Sequence, residues 1–511
     1  MSAPRKFSFL GNYDPQIFWP ILIVFSFIIG CSILWPLEVG TALRTVQNAI
    51  LSNGSFFIVT ISALTAFTAL WLALSKWKDV RLGGPDARPE FSFYAWIMML
   101  FCTGLGTGFV IYGSAEPLYH LFTGTTLLDK GIQGSWRGVP EAIRFSVIDW
   151  GLLAFPLFAV CGWAIGYGAY NHDKPLRTSS GLYGLLGDKC NSHILGRLVD
   201  ILGAVASIGG VTMMIGLGIA SITYAVKLLF GITLSGTGQL SVMLVFIAMY
   251  ITSSATGLKR GIRILSESTG YMAIFLLICV LFLGAAPFTY IADLFLQNLG
   301  EITWRLPEIF LYTDAEAGPT PRGWHDGWPV FYILWNISYV PFTSGFLARI
   351  SRGRTLREYI IGASLTPIVM CLIWFTTWGG NSCYLELSGQ MQIWAMVQNN
   401  AEQALYLLLQ TMPFGTLLSF VAFVAFVFFA VTTADSASFF IAQQTDKFNE
   451  SPALGNRVVW GLVIGTTGII LQIIGGFQAI KSLAIAGGSV FLLVVLAYLL
   501  SVVKMMYAHK D

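Results

Sequence analysis

The sequence predicts an all-α integral membrane protein, and three observations predict it. Hydrophobic residues make up 55% of the 511-residue chain and charged ones 11%, against about 25% charged in an ordinary soluble domain; the mean hydropathy is +0.71. Apolar runs long enough to cross a bilayer core, about 20 residues each, recur along the whole chain. One of them, between Phe91 and Phe122, contains Gly104-Leu105-Gly106-Thr107-Gly108. Each glycine costs about 1 kcal/mol in a helix interior relative to alanine, so three at alternate positions mark a helix built to break or to admit close approach.

The apolar runs give twelve spans: 17–36, 54–75, 91–120, 145–170, 197–228, 238–256, 269–290, 328–349, 358–380, 413–441, 457–476 and 481–503. Several exceed 25 residues, which implies tilt or unwinding rather than extra spans. With the N-terminus inside, most of the 29 lysines and arginines fall on the inner side, among them Lys76, Lys78, Arg81, Arg88, Lys259, Arg260, Arg349, Arg352, Arg354 and Arg357. The positive-inside rule then places both termini in the cytoplasm. Spans three and eight are separated by four helices, as expected of the first helices of two five-helix inverted repeats. The organisation is one polytopic domain: a two-helix prefix over 1–90, a first repeat over 91–290, and a surface helix with a second repeat over 291–511.

A net charge of +3 is too small to suggest nucleic acid as a partner. The seven cysteines are scattered, without metal or disulfide spacing, and read as small buried hydrophobes. The five histidines fall at span ends or in loops, and no catalytic constellation accompanies them, so the chain does not read as an enzyme. Non-helical backbone at bilayer depth is tolerated only where it lines a cavity or is buried in protein. Interrupted spans are therefore the best sequence pointer to the substrate site of a secondary transporter. Span eight, with Pro329, Asn336 and Pro341, and span ten, with Thr432-Thr433-Ala434-Asp435-Ser436, share this broken character by their polar and proline content.

The run Arg349-Ile350-Ser351-Arg352-Gly353-Arg354-Thr355-Leu356-Arg357-Glu358 resembles the most distinctive signature of the betaine/choline/carnitine transporter family. Tyr112-Gly113-Ser114-Ala115-Glu116-Pro117 and Thr433-Ala434-Asp435-Ser436 are similar to two further motifs of that family, in the same order and spacing. The resemblance covers essentially the whole chain. It implies twelve helices with a LeuT-like five-plus-five inverted-repeat core (helices 3–7 and 8–12), alternating access, a bacterial cytoplasmic membrane, lipid contacts and usually a homotrimer. Read alone, the arginine cluster is a positive-inside anchor.

A quaternary ammonium group cannot donate hydrogen bonds, so its site needs aromatic faces. Span four supplies Trp150, Phe155 and Phe158 where the family places two tryptophans and a tyrosine. Span eight supplies Trp335 and Tyr339, one turn apart on one face, with Asn336 where the family usually has an aromatic. The expected substrate site is these six residues with Gly104, Gly106 and Gly108. Asp149, an intramembrane carboxylate, is a functional candidate by default, for a substrate amine or for proton coupling. A structural hydrogen-bond role for it stays open. Glu116 and Asp435 read as mainly structural, pairing with cytoplasmic arginines or capping broken helix ends.

Sodium prefers oxygen ligands, which unwound carbonyls and hydroxyls provide. Carried over by position from sodium-coupled members, the ligands are the carbonyls of Cys102, Leu105 and Phe429 with the hydroxyls of Thr432 and Thr433. Sodium-independent carnitine exchangers lose that hydroxyl pair and carry an arginine where this chain has Thr269. The expected function is sodium-coupled uptake of a small zwitterionic or quaternary-ammonium solute such as betaine, carnitine or choline, with no cofactor beyond Na+. The alternatives are a sodium-independent antiporter of the carnitine type, or a sodium symporter for a sulfonate or sulfonium zwitterion. Short flanks before the first and after the last span favour nutrient uptake over osmosensing.

Overall fold

The structure, a computed structural model, describes residues 9–104, 106–124, 132–256, 261–315, 318, 323–447 and 452–509. The described residues form helices and no strand. In chain order they are α1 (Pro15–Leu34), α2 (Pro36–Leu74), α3 (Phe93–Gly104), α4 (Thr107–Thr123), α5 (Val139–Val147), α6 (Phe155–Asn171), α7 (Tyr183–Leu186), α8 (Ile194–Phe230), α9 (Gly236–Thr256) and α10 (Gly261–Leu283). They continue with α11 (Phe288–Trp304), α12 (Leu306–Leu311), α13 (Gly323–His325), α14 (Phe331–Ile350), α15 (Leu356–Leu387), α16 (Ile393–Val397), α17 (Gln403–Gln410), α18 (Gly415–Gln444) and α19 (Leu454–Ala508). Nine helical segments among the described residues are long and apolar enough to cross a membrane, or ten if α10 and α11, bent by 113° at their break, form one span.

Three of the twelve expected spans do not stand as separate single helices in that count. The span at 91–120 is split into α3 and α4, of 12 and 17 residues. The last two, 457–476 and 481–503, run together as α19, which is broken at Gly476 with φ 59° and ψ −153°. That backbone region is essentially reserved for glycine.

The centre of the bundle is apolar and close-packed, with Trp96, Trp163, Trp374, Trp378 and Trp460 all fully buried. Its outside also carries large apolar side chains, such as Phe27, Leu37 and Tyr271, each about 70% exposed or more. An apolar exterior over an apolar interior is the arrangement of a chain solvated by lipid.

The arginine signature folds for local reasons. Thr355 caps α15: its hydroxyl accepts from the Glu358 N–H at 3.2 Å, and Glu358 Oε2 accepts from the Thr355 N–H at 3.0 Å, a reciprocal capping box. The residues before it pair with the link between α2 and α3, through Leu356 N to Val80 O (2.8 Å) and Leu82 N to Arg354 O (3.0 Å). Arg354 donates to Phe91 O at 2.8 Å and stacks on Trp96, and Arg357 donates to Ala73 O at 3.0 Å. The run thus clamps the start of α15 to the prefix, beyond its value as a charge anchor.

Span eight leaves α-helical geometry at the π-helical turn Asp326–Val330, which carries Pro329, but neither it nor span ten is broken at the other places the sequence suggested. α14 continues through Pro341, and α18 is helical throughout its polar patch. In both helices a small polar side chain bonds back to the preceding turn: Ser338 donates to Trp335 O at 2.5 Å, and Thr432 donates to Phe428 O at 2.9 Å.

Candidate functional site

The glycine run produces the expected interruption. α3 ends at Gly104, Gly106 is extended (φ −141°, ψ 170°) and serves as the N-cap of α4, and Leu105 lies outside the described residues. Immediately after the break, α4 carries Gly108 into a slot between two indoles. A β-carbon there would lie 2.9 Å from Trp150 Cη2, 3.3 Å from Trp335 Cη2 and 3.3 Å from Met214 Sδ. Real β-carbons essentially never approach another heavy atom within 3.0 Å. Only glycine fits without moving a tryptophan.

Trp150 owes its position to a π-helical turn, Ile148–Leu152, between α5 and α6. Pro156 has no N–H to offer the Leu152 carbonyl, so the ladder widens by a residue just upstream of it. A second such turn, Asp326–Val330, carries Pro329 and leads into α14. A tryptophan from each turn reaches α4: Trp150 Nε1 donates to Glu116, and the Trp328 ring packs against Tyr119 and His120.

The Trp150 ring is the hub of an aromatic cluster. Its centroid lies 5.3 Å from Tyr332, 5.4 Å from Trp335, 5.7 Å from Phe109 and 6.1 Å from Tyr112. Trp335 stacks on Phe331 and meets Tyr339 edge-on at 6.2 Å. Among the described residues, the Trp335 Nε1–H and the Tyr339 hydroxyl are buried and have no hydrogen-bond partner. Unpaired buried donors are costly, and two of them beside clustered aromatic rings suit a ligand with an anionic and a cationic end.

The remaining expected residues divide. Asn336 donates its amide to the backbone carbonyl of Asp149 at 3.4 Å, joining α14 to the π-helical turn. Phe155 and Phe158 are buried and pack edge-on against each other at 5.7 Å. Their described ring contact is mutual and does not extend to the Trp150 hub. Of the expected sodium ligands, Cys102 lies in the last turns of α3, while Phe429, Thr432 and Thr433 lie on α18. Thr432 Oγ1 also reaches the Phe429 carbonyl, at 3.0 Å.

Among the described residues, Glu116 does not pair with an arginine. Its Oε2 accepts from Trp150 Nε1 at 2.8 Å and from the Tyr332 hydroxyl. His120, on the same face one turn later, is fully buried rather than peripheral, with Nε2 3.4 Å from Glu116 Oε1 and 3.6 Å from Asp149 Oδ2. Asp435 accepts from the Ser253 hydroxyl at 2.7 Å, joining α18 to α9. Sequence reasoning missed Tyr332, Phe109 and His120. Tyr332 precedes Trp335 by one helical turn, and Glu116 and His120 stand four apart, so both signals were available.

An open cleft of about 480 Å³ between α9, α10 and α18 is lined by Val245, Met249, Ser253, Leu265 and Val431 and lies on other elements than the aromatic hub. Its lining is apolar, whereas the hub combines ring faces with unpaired donors, and the hub is the stronger candidate.

The chain matches the family profile described as "BCCT, betaine/carnitine/choline family transporter" over residues 16–511. It belongs to that family. It is 29% identical over 488 residues to the glycine betaine transporter OpuD of Bacillus subtilis, covering 95% of this chain and 93% of that one. It is 30% identical over 495 residues to a glycine betaine transporter of Acinetobacter baylyi, covering 97% and 73%. An ectoine/hydroxyectoine transporter of Virgibacillus pantothenticus is 29% identical over 453 residues, 89% of this chain and 88% of the relative. This BCCT protein is therefore a multi-pass membrane transporter of a small solute, and not an enzyme.

Proposed function

We propose that this BCCT protein is a sodium-coupled symporter that takes up a betaine-type zwitterion by alternating access. The carrying observation is the pairing of the Trp150–Trp335 rings with the unpartnered Trp335 Nε1–H and Tyr339 hydroxyl. Ring faces attract the onium end, and the two donors suit the carboxylate end. Choline, which lacks the carboxylate, is the poorer fit. The names borne by the relatives, glycine betaine and ectoine/hydroxyectoine transporters, support a zwitterionic class.

Sodium coupling rests on the hydroxyl pair Thr432 and Thr433 in α18, with the Cys102, Leu105 and Phe429 carbonyls as partners. Twelve crossings, with α3 and α4 as one and α19 as two, agree with both termini inside and with a five-plus-five repeat core over 91–290 and 291–511. The reading extends to a homotrimer in a bacterial inner membrane.

The test is uptake of labelled glycine betaine into proteoliposomes of the purified protein. Accumulation driven by an inward sodium gradient, and abolished when potassium replaces sodium, supports symport. Betaine-for-carnitine counterflow that runs equally well without sodium would replace it with the antiporter.

A further inference from the structure

Three titratable side chains meet inside the bundle beside the aromatic hub. Glu116 and His120 come from one face of α4 and Asp149 from the π-helical turn, and one ligand-type atom of each lies within 4.8 Å of the others. All three are fully buried. Their hydrogen bonds are unequal. Glu116 Oε2 takes two donors, Trp150 Nε1 and the Tyr332 hydroxyl. Neither oxygen of Asp149 has a hydrogen-bond partner among the described residues.

The imidazole decides which cation belongs there. Trp324 Nε1 lies 3.2 Å from His120 Nδ1. An indole nitrogen only donates, so Nδ1 is the acceptor and the ring hydrogen sits on Nε2, aimed between the two carboxylates. A ring in that tautomer has no Nε2 lone pair to give a metal ion. What the cluster lacks is a single positive charge on the unpartnered carboxylate, and a proton is the cation that fits.

The charged groups around it, among the described residues, do not supply one. Arg144 of α5 is held by Glu141 at 3.5 Å and by Glu301 of α11. His325 faces Asp326 at 3.5 Å and the Tyr312 carbonyl at 3.1 Å. Lys481 of α19 lies over the Phe331 ring at 3.8 Å and reaches the Gly327 carbonyl at 3.3 Å. Among the described residues, the other titratable groups beside the cluster are the hydroxyls of Tyr112, Tyr119 and Tyr332 and the Cys371 thiol, with Glu402 beyond Tyr112 and Tyr119.

We propose that Glu116, His120 and Asp149 form a proton site, with Asp149 as the carrier, which loses its proton when an onium substrate occupies the Trp150 ring. Water delivers the proton to an Asp149 oxygen, forming one O–H bond; on release that bond breaks and the proton returns to water. Trp150 joins the two sites, since its ring belongs to the hub and its N–H binds Glu116. An onium cation on one side of Trp150 favours the ionised form of the carboxyl on the other. The idea rests on the reading of Trp150 and Trp335 as the onium site.

Calorimetry of glycine betaine binding, repeated in buffers of different ionisation enthalpy, counts the protons exchanged. The expected result is net release by the native protein, with affinity rising up to about tenfold per pH unit through the Asp149 titration. Asp149→Asn should bind without release, and His120→Gln should move the pH at which release occurs. Infrared difference spectra of the native protein give an independent readout: betaine should remove the carbonyl band of a protonated carboxylic acid. Binding without release or band loss, release that persists in Asp149→Asn, or tight zinc binding abolished by His120→Gln would each overturn the proposal. Betaine binding that survives Trp335→Ala would instead overturn the reading of the onium site.

Discussion

The α-carbon of Gly108 faces the indole of Trp150 so closely that a β-carbon would come within 2.9 Å of the ring. The contact ties the helix break to the aromatic hub, because the residue that needs to be small lies two positions after the extended Gly106. The break brings bare backbone against the ring that organises the site.

Gly108→Ala should therefore weaken glycine betaine binding by tenfold or more. Overpacking of this kind typically costs about 1–3 kcal/mol, and here the yielding group is Trp150. Titration of tryptophan fluorescence in detergent would measure it, with size-exclusion elution unchanged from the native protein. Native affinity in this variant would mean that the Trp150 ring moves aside freely and takes no part in binding.

Tyr339→Phe removes one unpartnered donor and keeps the ring. It should reduce affinity for glycine betaine by about 1.5–3 kcal/mol, the size of a hydrogen bond to a charged group. Affinity for choline, which has no carboxylate, should hardly change. Equal losses for both ligands would show that the hydroxyl does not meet the anionic end.

The double substitution Thr432→Ala/Thr433→Ala should raise the sodium concentration for half-maximal uptake at least tenfold, at about 1–3 kcal/mol per lost ligand. The Thr432 hydroxyl donates to the preceding turn, which leaves its lone pairs for a cation. Uptake measured against sodium concentration checks this, and an unchanged half-saturation point would remove the pair from the coupling site.

Gly476→Ala separates backbone strain from packing. No heavy atom lies within 4 Å of a β-carbon at this position, yet its φ of 59° disfavours any other residue. The substitution should destabilise the protein by about 1–3 kcal/mol, seen as a lower midpoint of thermal unfolding in detergent. An unshifted midpoint would mean the joint between the halves of α19 relaxes at no cost.

How much the sequence revealed depended on whether a feature had a local cause. The break at Gly104–Gly108 was legible because three glycines are costly in any helix. The capping box at Thr355 and Glu358 was written in the residues, though not singled out. The clamp made by Arg354 and Arg357 was not legible, since it needs the link from α2 to α3 folded back against it. The same holds for Glu116, His120 and Asp149: the first two are four apart, but Asp149 joins them only through a π-helical turn that no apolar periodicity signals. Pro341 misled in the other direction. A proline in an apolar run signals a possible kink, and only packing around α14 shows that the helix passes through it.

The central claim is that the Trp150–Trp335 hub holds a betaine-type zwitterion whose entry is coupled to sodium. The most direct test is sodium-gradient-driven uptake of glycine betaine into proteoliposomes, comparing the native protein with Trp335→Ala at equal reconstituted amounts. The account predicts concentrative, sodium-dependent uptake by the native protein and none by the variant. Uptake by Trp335→Ala at the native rate, or native uptake indifferent to sodium, would contradict it.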